Sequence, residues 1–147
     1  TTALDVTTEA QILALLTERQ KAPGMAILYI SHNLAVISKI AEYVLVMYLG
    51  QIVEEAHVDK IFQEPAHPYT RALLSSIPQL SSDTNDKLET IKGDIPDPYL
   101  RPTGCPFHPR CSQKIDAVCE KVVPKKRQLS NGTRVACHLY TESSKVN

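Results

Sequence analysis

All four cysteines of this 147-residue chain lie in its last third: Cys105, Cys111, Cys119 and Cys137 follow 104 residues that contain none. A chain divided in this way reads as two parts, a larger piece held by apolar packing and a small C-terminal module with a stabilising device of its own. The module has few large apolar residues, so a metal would supply what its core lacks. Between successive cysteines lie five, seven and seventeen residues, whereas structural zinc sites usually contain pairs separated by two to four. Spacing and composition leave three states of these thiols open: ligands of an iron–sulfur cluster, ligands of zinc, or plain thiols, reduced or paired as disulfides. His108 and His138 stand nearby as substitute ligands, as donors to a ligand, or as ordinary exposed histidines.

The first part carries the signals of alternating helix and strand. Residues from about Val6 to Lys21 read as a helix, capped by Asp5, or by Thr8 with Gln11 placed for a capping box. Its apolar residues fall on two faces, Val6, Ala10, Leu13 and Ala14 on one and Ile12, Leu15 and Leu16 on the other, which predicts burial on more than one side. Pro23-Gly24 ends it. Met25 to Ile30 is an unbroken apolar run, the pattern of a strand buried on both faces of a parallel sheet. Ser31-His32-Asn33 follows, with capping residues for a helix over roughly Leu34 to Ala41.

Tyr43 to Tyr48 reads as a second strand, Gly50 as a turn and Gln51 to Glu54 as the return strand of a hairpin. Short helices are expected over Val58 to Gln63 and Pro68 to Ile77, the second with proline in its first turn. The order strand, helix, strand predicts an α/β core. Ser81, Ser82, Asp83, Thr84, Asn85 and Asp86 cannot bury much and mark a linker. Beyond it, Pro96, Pro98 and Pro102 predict irregular, extended backbone. The expected organisation is a domain over residues 1–79, a linker over 80–90 and a cysteine-bearing extension over 91–147.

Hydrophobic residues make up 43% and charged residues 22% of the chain, which fits a globular protein. Sixteen Lys and Arg balance sixteen Asp and Glu, so net charge gives no argument for a nucleic-acid partner or an anionic surface. Arg101, Arg110, Lys114, Lys121, Lys125, Lys126 and Arg127 make the extension locally basic; scattered charge of this kind reads as solvated surface. No apolar run approaches the ~18 residues that a membrane-spanning helix needs.

Five segments, in order, resemble one family. Thr1-Thr2-Ala3-Leu4-Asp5 resembles the D-loop of ABC ATPases, and Ile30-Ser31-His32-Asn33-Leu34 resembles their switch-histidine loop. Val44 to Glu54 is similar to the hairpin that closes their nucleotide-binding domain. His67-Pro68-Tyr69-Thr70-Arg71-Ala72-Leu73 resembles a segment of the dipeptide, oligopeptide and nickel importer branch. Gly104-Cys105-Pro106-Phe107-His108-Pro109-Arg110-Cys111, with Cys119 and Val135-Ala136-Cys137-His138, resembles that branch's C-terminal cysteine extension. Each motif alone is short, whereas their order and spacing together are specific.

The resemblance implies an α/β fold: the C-terminal part of a P-loop ABC-ATPase nucleotide-binding domain, followed by a small irregular cysteine module. It implies an ATP-hydrolysing subunit that energises peptide import. His32 would contact the γ-phosphate of ATP and help place the attacking water, a task that suits a donor without permanent charge. Ala3, Leu4 and Asp5 would reach across the interface between two ATPase subunits, although Asp5 also reads simply as a helix cap. Ser31 and Asn33 read as loop and capping residues. Cys105, Cys111, Cys119 and Cys137 would hold a [4Fe–4S] cluster.

ATP and Mg would be cofactors of the full-length protein. The implied partners are a second ATPase subunit, identical or homologous, two transmembrane permease subunits and, indirectly, a substrate-binding protein, with no nucleic acid. The implied location is peripheral, at the cytoplasmic face of the plasma (inner) membrane. No Gly-x-x-x-x-Gly-Lys-Ser/Thr loop occurs. In the family, that loop, the Q-loop, the signature and the Walker B acid all precede the segment that Thr1 to Asp5 resembles. The expectation is therefore a C-terminal portion that does not hydrolyse ATP alone. A reading from another class is a stand-alone cysteine module for metal binding or redox sensing, with residues 1–79 as scaffold.

Overall fold

The computed structural model describes residues 6–20, 24–76, 91, 93–94, 96–97 and 100–141. Ala3, Leu4, Asp5 and the expected linker over 80–90 lie outside the described residues. The chain divides into two compact units, Thr1–Glu42 and Tyr43–Asn147.

The first unit contains helices α1 (Val6–Gln20) and α2 (Leu34–Ile40), and the described residues between them form neither helix nor strand. Asn33 caps α2: its side-chain oxygen accepts from the amides of Ala35 (3.1 Å) and Val36 (3.3 Å), while Ser31 Oγ accepts from the Asn33 amide (3.0 Å). The capping roles expected of Ser31 and Asn33 are thus observed. Two expectations of burial are not met. Leu15 on α1 is 58% exposed, and Leu28 and Ile30 in the apolar run are 80% and 88% exposed. Residues 25–30 belong to no strand, and no strand pairs with them among the described residues. Without such a neighbour, only Ile27 and Tyr29 of the run are half-buried.

The second unit is built on one antiparallel sheet in the order β1-β2-β4-β3, with β1 at Tyr43–Tyr48, β2 at Gln51–His57, β3 at Arg127–Gln128 and β4 at Arg134–Val135. The mixed helix and strand content follows the expectation; a parallel sheet does not appear among the described residues. Leu49 and Gly50 form the two-residue turn between β1 and β2, both at positive φ (44° and 75°), the type I′ pattern that matches strand twist. A bulge follows: Val46 pairs with Glu54 but Met47 pairs with Ile52, leaving Val53 as the extra residue. With β1 on one edge and β4 on the other, Val53, Glu54, Glu55 and Ala56 are all buried in succession.

Helices α3 (Val58–Gln63) and α4 (Pro68–Ser75) follow β2, and a single helical turn, α5 (Val118–Lys121), lies in the cysteine segment. One core combines Val46, Tyr48, Val53, Ala56 and Ile61 with Cys105, Phe107 and Cys119. Rings meet edge-on or tilted around Phe107, whose centroid lies 5.2 Å from that of Tyr48 and 5.3 Å from that of Tyr69. A second cluster holds Ala66, Val135 and Cys137. The hairpin and the cysteine segment, placed in separate domains by the sequence, share a sheet and a core here. The linking contacts, Glu54 with Val135 and the Ala136 amide to the Val53 carbonyl (2.9 Å), join residues some 80 positions apart, which local pattern does not reveal.

Candidate functional site

Two groups of expected site residues fall among the described residues, one in each unit. His32 stands one residue before the Asn33 cap, and its ring is exposed. The backbone on its C-terminal side is fixed by the capping bonds, so the imidazole is presented from a defined point at the start of α2. Nothing else of a nucleotide site accompanies it in this unit among the described residues.

The four cysteines lie in the second unit, and all are free thiols, with Cys105, Cys119 and Cys137 buried and Cys111 half-buried. Three local structures bring them together. Cys105 and Cys111 flank a short 3-10 turn over His108–Arg110, closed by the His108 amide on the Cys105 carbonyl (3.0 Å) and the Cys111 amide on the His108 carbonyl (3.3 Å). Cys119 sits on α5, and its carbonyl accepts from the Cys105 amide (2.8 Å). Cys137 leaves β4 just after Ala136 and caps a second 3-10 turn, His138–Tyr140. The sheet therefore delivers the fourth cysteine, separated from the third by seventeen residues, to the same neighbourhood.

Backbone amides point at every sulfur. Phe107 and His108 donate toward Cys105, Gln113 toward Cys111 and Leu139 toward Cys137, and the Ile115 amide reaches Cys119 Sγ at 3.4 Å. Such donors favour a charged sulfur. Burial opposes them and wins: it pushes the thiols of Cys105 and Cys111 up, and that of Cys137 up to about 11. Charge on neighbouring thiols adds to this rise, Cys119 and Cys111 acting on Cys105, Cys119 on Cys111, and the other three on Cys137. The four sulfurs are thus close enough to feel one another. Among the described residues, however, no group of three or more His, Cys, Asp or Glu is placed to hold a metal ion.

Neutral, buried thiols are poor nucleophiles. That is the reverse of what a redox sensor needs, and the sensing alternative finds no support in this arrangement. His108 and His138 are anchored through their rings: His108 Nδ1 donates to the Cys105 carbonyl (2.9 Å), and the buried His138 Nε2 donates to the Val122 carbonyl (2.8 Å). Several of the basic residues are paired rather than free: Lys114 with Asp116 and Glu120, and Lys126 with the buried Glu55, which Arg134 also meets at 2.7 Å.

The segment around α4 contains partners that sequence patterning does not single out. Glu54 is fully buried and accepts from the amides of Ala66 (2.6 Å) and His67 (2.8 Å), holding the entry to α4 against β2. His67 caps α4 through Nδ1, which accepts from the Tyr69 amide (3.0 Å). Arg71 donates to the Pro65 carbonyl, Gln113 Oε1 and the Tyr140 hydroxyl (2.9, 3.2 and 3.0 Å). It thereby ties α4 to the loop after Cys111 and to the turn after Cys137. His67 and Arg71 were marked in advance only by the resemblance of the segment His67 to Leu73, and Glu54 by nothing but its place in the hairpin segment.

These residues coincide with a known family region. The family described as "Oligopeptide/dipeptide transporter, C-terminal region" matches residues 53–119, from the bulge in β2 to the third cysteine. The dipeptide transport ATP-binding protein DppD of Haemophilus influenzae is 46% identical over 138 residues, covering 94% of this chain and 41% of its own length. The oligopeptide transport ATP-binding protein AppD of Bacillus subtilis is 46% identical over 142 residues, 97% of this chain and 43% of its own. A putative peptide import ATP-binding protein of Brucella abortus reaches 51% over 124 residues, 84% of this chain and 37% of its own. The chain thus spans about two fifths of the length of these curated relatives. Identity of this order, sustained across nearly the whole chain and joined to the match over residues 53–119, makes the chain similar from end to end to part of the oligopeptide and dipeptide transport ATP-binding proteins.

Proposed function

We propose that this chain is the C-terminal part of an ATP-hydrolysing subunit that energises peptide import through an ABC transporter. The observation that carries the reading is the 46% identity over 94% of the chain to a relative named as a dipeptide transport ATP-binding protein. In this reading, residues 1–79 close a P-loop nucleotide-binding domain, 80–90 form a linker and 91–147 are the extension peculiar to this branch. Bound Mg-ATP would supply the phosphoryl bond whose cleavage drives the transport cycle. His32 would donate a hydrogen bond to the terminal phosphate and orient the attacking water, and the capped start of α2 fits that task by holding the residue in place while leaving its ring exposed. Ala3, Leu4 and Asp5 would contact the second ATPase subunit.

The partners would be that second subunit, two membrane-spanning permease subunits and, through them, a substrate-binding protein delivering peptides. The location would be peripheral, on the cytoplasmic face of the membrane. Among the described residues, no helix is long and apolar enough to cross a membrane.

The four thiols would hold a [4Fe–4S] cluster. Among the described residues no group of three or more His, Cys, Asp or Glu is placed to hold a metal ion, so the reading rests on the resemblance of the cysteine segment and on the donors around the sulfurs. The amides aimed at all four sulfurs suit thiolates bound to iron, and binding would release their protons. The cluster would supply a cross-link among the 105–111 loop, α5 and the end of β4.

The reading is tested at His32. In the full-length protein, His32→Ala should leave ATP affinity within a few-fold of wild type and lower kcat for hydrolysis roughly 100-fold or more, the scale of losing one transition-state donor. An undiminished rate would contradict it.

A further inference from the structure

We propose that Gly104 is the positioning residue of the sulfur site, the point at which the absence of a side chain lets Cys105 close onto Cys119. Gly104 sits at φ +66°, and an added Cβ there would collide with the Cys119 carbonyl oxygen and approach the carbonyl carbon and oxygen of Glu120 to 2.7 and 2.8 Å. Real Cβ atoms essentially never come within 3.0 Å of such neighbours, and every atom concerned is backbone, which cannot swing aside as a side-chain tip would.

The approach is held on both sides of the glycine. Thr103 Oγ1 donates to the Glu120 carbonyl (2.7 Å), and the Cys105 amide donates to the Cys119 carbonyl (2.8 Å). Those two bonds draw the 103–105 backbone against α5, and Gly104 is the residue between them that must have no side chain. The consequence reaches the sulfurs, because Cys105 and Cys119 are buried members of one core and their backbones are joined by the Cys105 amide on the Cys119 carbonyl. Any residue larger than glycine would push the 103–105 segment off α5 and open the site at this pair first. Cys137 arrives by the sheet and packs in a different cluster, so it would be spared.

Gly132 supplies the control. It shares the left-handed backbone (φ +86°) but has nothing within 4 Å of a built Cβ, so Gly132→Ala carries the positive-φ strain without the collision. As a statement about a metal site, the proposal rests on the cluster reading above, and the experiment separates the two. The full chain is purified without oxygen as wild type, Gly104→Ala and Gly132→Ala. Iron and acid-labile sulfide per chain are measured first. After metal removal under reducing conditions, the alkylation rate of each cysteine is followed by peptide mass spectrometry.

Wild type and Gly132→Ala are expected to hold about four iron and four sulfide per chain, and Gly104→Ala less than half of that. In the metal-free proteins, Cys105 and Cys119 of Gly104→Ala should alkylate at least ten-fold faster than in Gly132→Ala, with Cys137 unchanged. Equal iron content and equal protection in the two variants would overturn the proposal. So would a uniform rise that includes Cys137, which would mark general loss of the fold. A wild type without iron would end the cluster reading alone; the alkylation comparison would still decide the role of Gly104.

Discussion

His67 is 1% exposed, and burial, with help from the Arg71 charge, lowers its pKa to about 4. The ring therefore stays neutral at physiological pH, as it must if Nδ1 is to accept from the Tyr69 amide. An unfolded chain protonates this histidine near pH 6.5, so between pH 6.5 and 4 the unfolded state binds the extra proton. The stabilisation is complete above about pH 6.5 and declines as pH falls toward 4, by on the order of 3 kcal/mol in total. His67→Asn keeps an acceptor for the Tyr69 amide and removes the titration. Urea unfolding at pH 7 and pH 5 should show a marked loss for wild type and a flatter response for the variant, whatever its absolute stability. An equal drop in both would show that another group carries the acid sensitivity. The sequence marked His67 only as part of a seven-residue resemblance. Its burial depends on Phe107, whose ring centroid lies 5.9 Å away, and that contact spans forty positions.

The hairpin and α4 depend on each other through one side chain. Glu54 lies in β2, where strand alternation alone would not forecast an acid with no exposure, and it uses both carboxyl oxygens on the amides that begin α4. Glu54→Gln turns one oxygen into a donor facing an N–H group and leaves a buried amide unpaired. The expected loss is about 1–3 kcal/mol, read from the midpoint of urea unfolding; an unchanged midpoint would show that water replaces the lost bond.

Elements set by local signals were the legible ones. Tyr43–Tyr48 and Val58–Gln63 have the bounds the sequence predicts, and Pro68 opens α4 as its fixed φ allows. The limits of local reading also show at particular residues. β2 runs on to His57, past the expected Glu54, because β1 pairs with it as far as Tyr43 with His57. Met25 to Ile30 has the composition of a buried strand but no ladder partner among the described residues. The four cysteines were singled out as one set by resemblance, their spacing leaving their state open, whereas the route by which Cys137 approaches the other three lies in the β2–β4 pairing.

At the scale of the molecule, the cysteine segment is part of the unit that begins at Tyr43. Cys105 and Cys119 pack with Val46, Tyr48 and Val53 of the hairpin, and Arg71 fastens α4 to the loops on either side of the sulfur site. A change at the sulfurs is therefore a change in the support of the hairpin. The likeness to dipeptide and oligopeptide transport ATP-binding proteins runs along nearly the whole chain, and the proposed transport role of the full-length protein rests on that likeness. The most direct measurement is ATP hydrolysis by the full-length protein assembled with the proposed permease subunits in lipid vesicles, with and without a peptide-loaded binding protein outside. The account predicts hydrolysis that rises several-fold with peptide and vanishes with His32→Ala. Hydrolysis that ignores peptide, or that survives loss of His32, would contradict it.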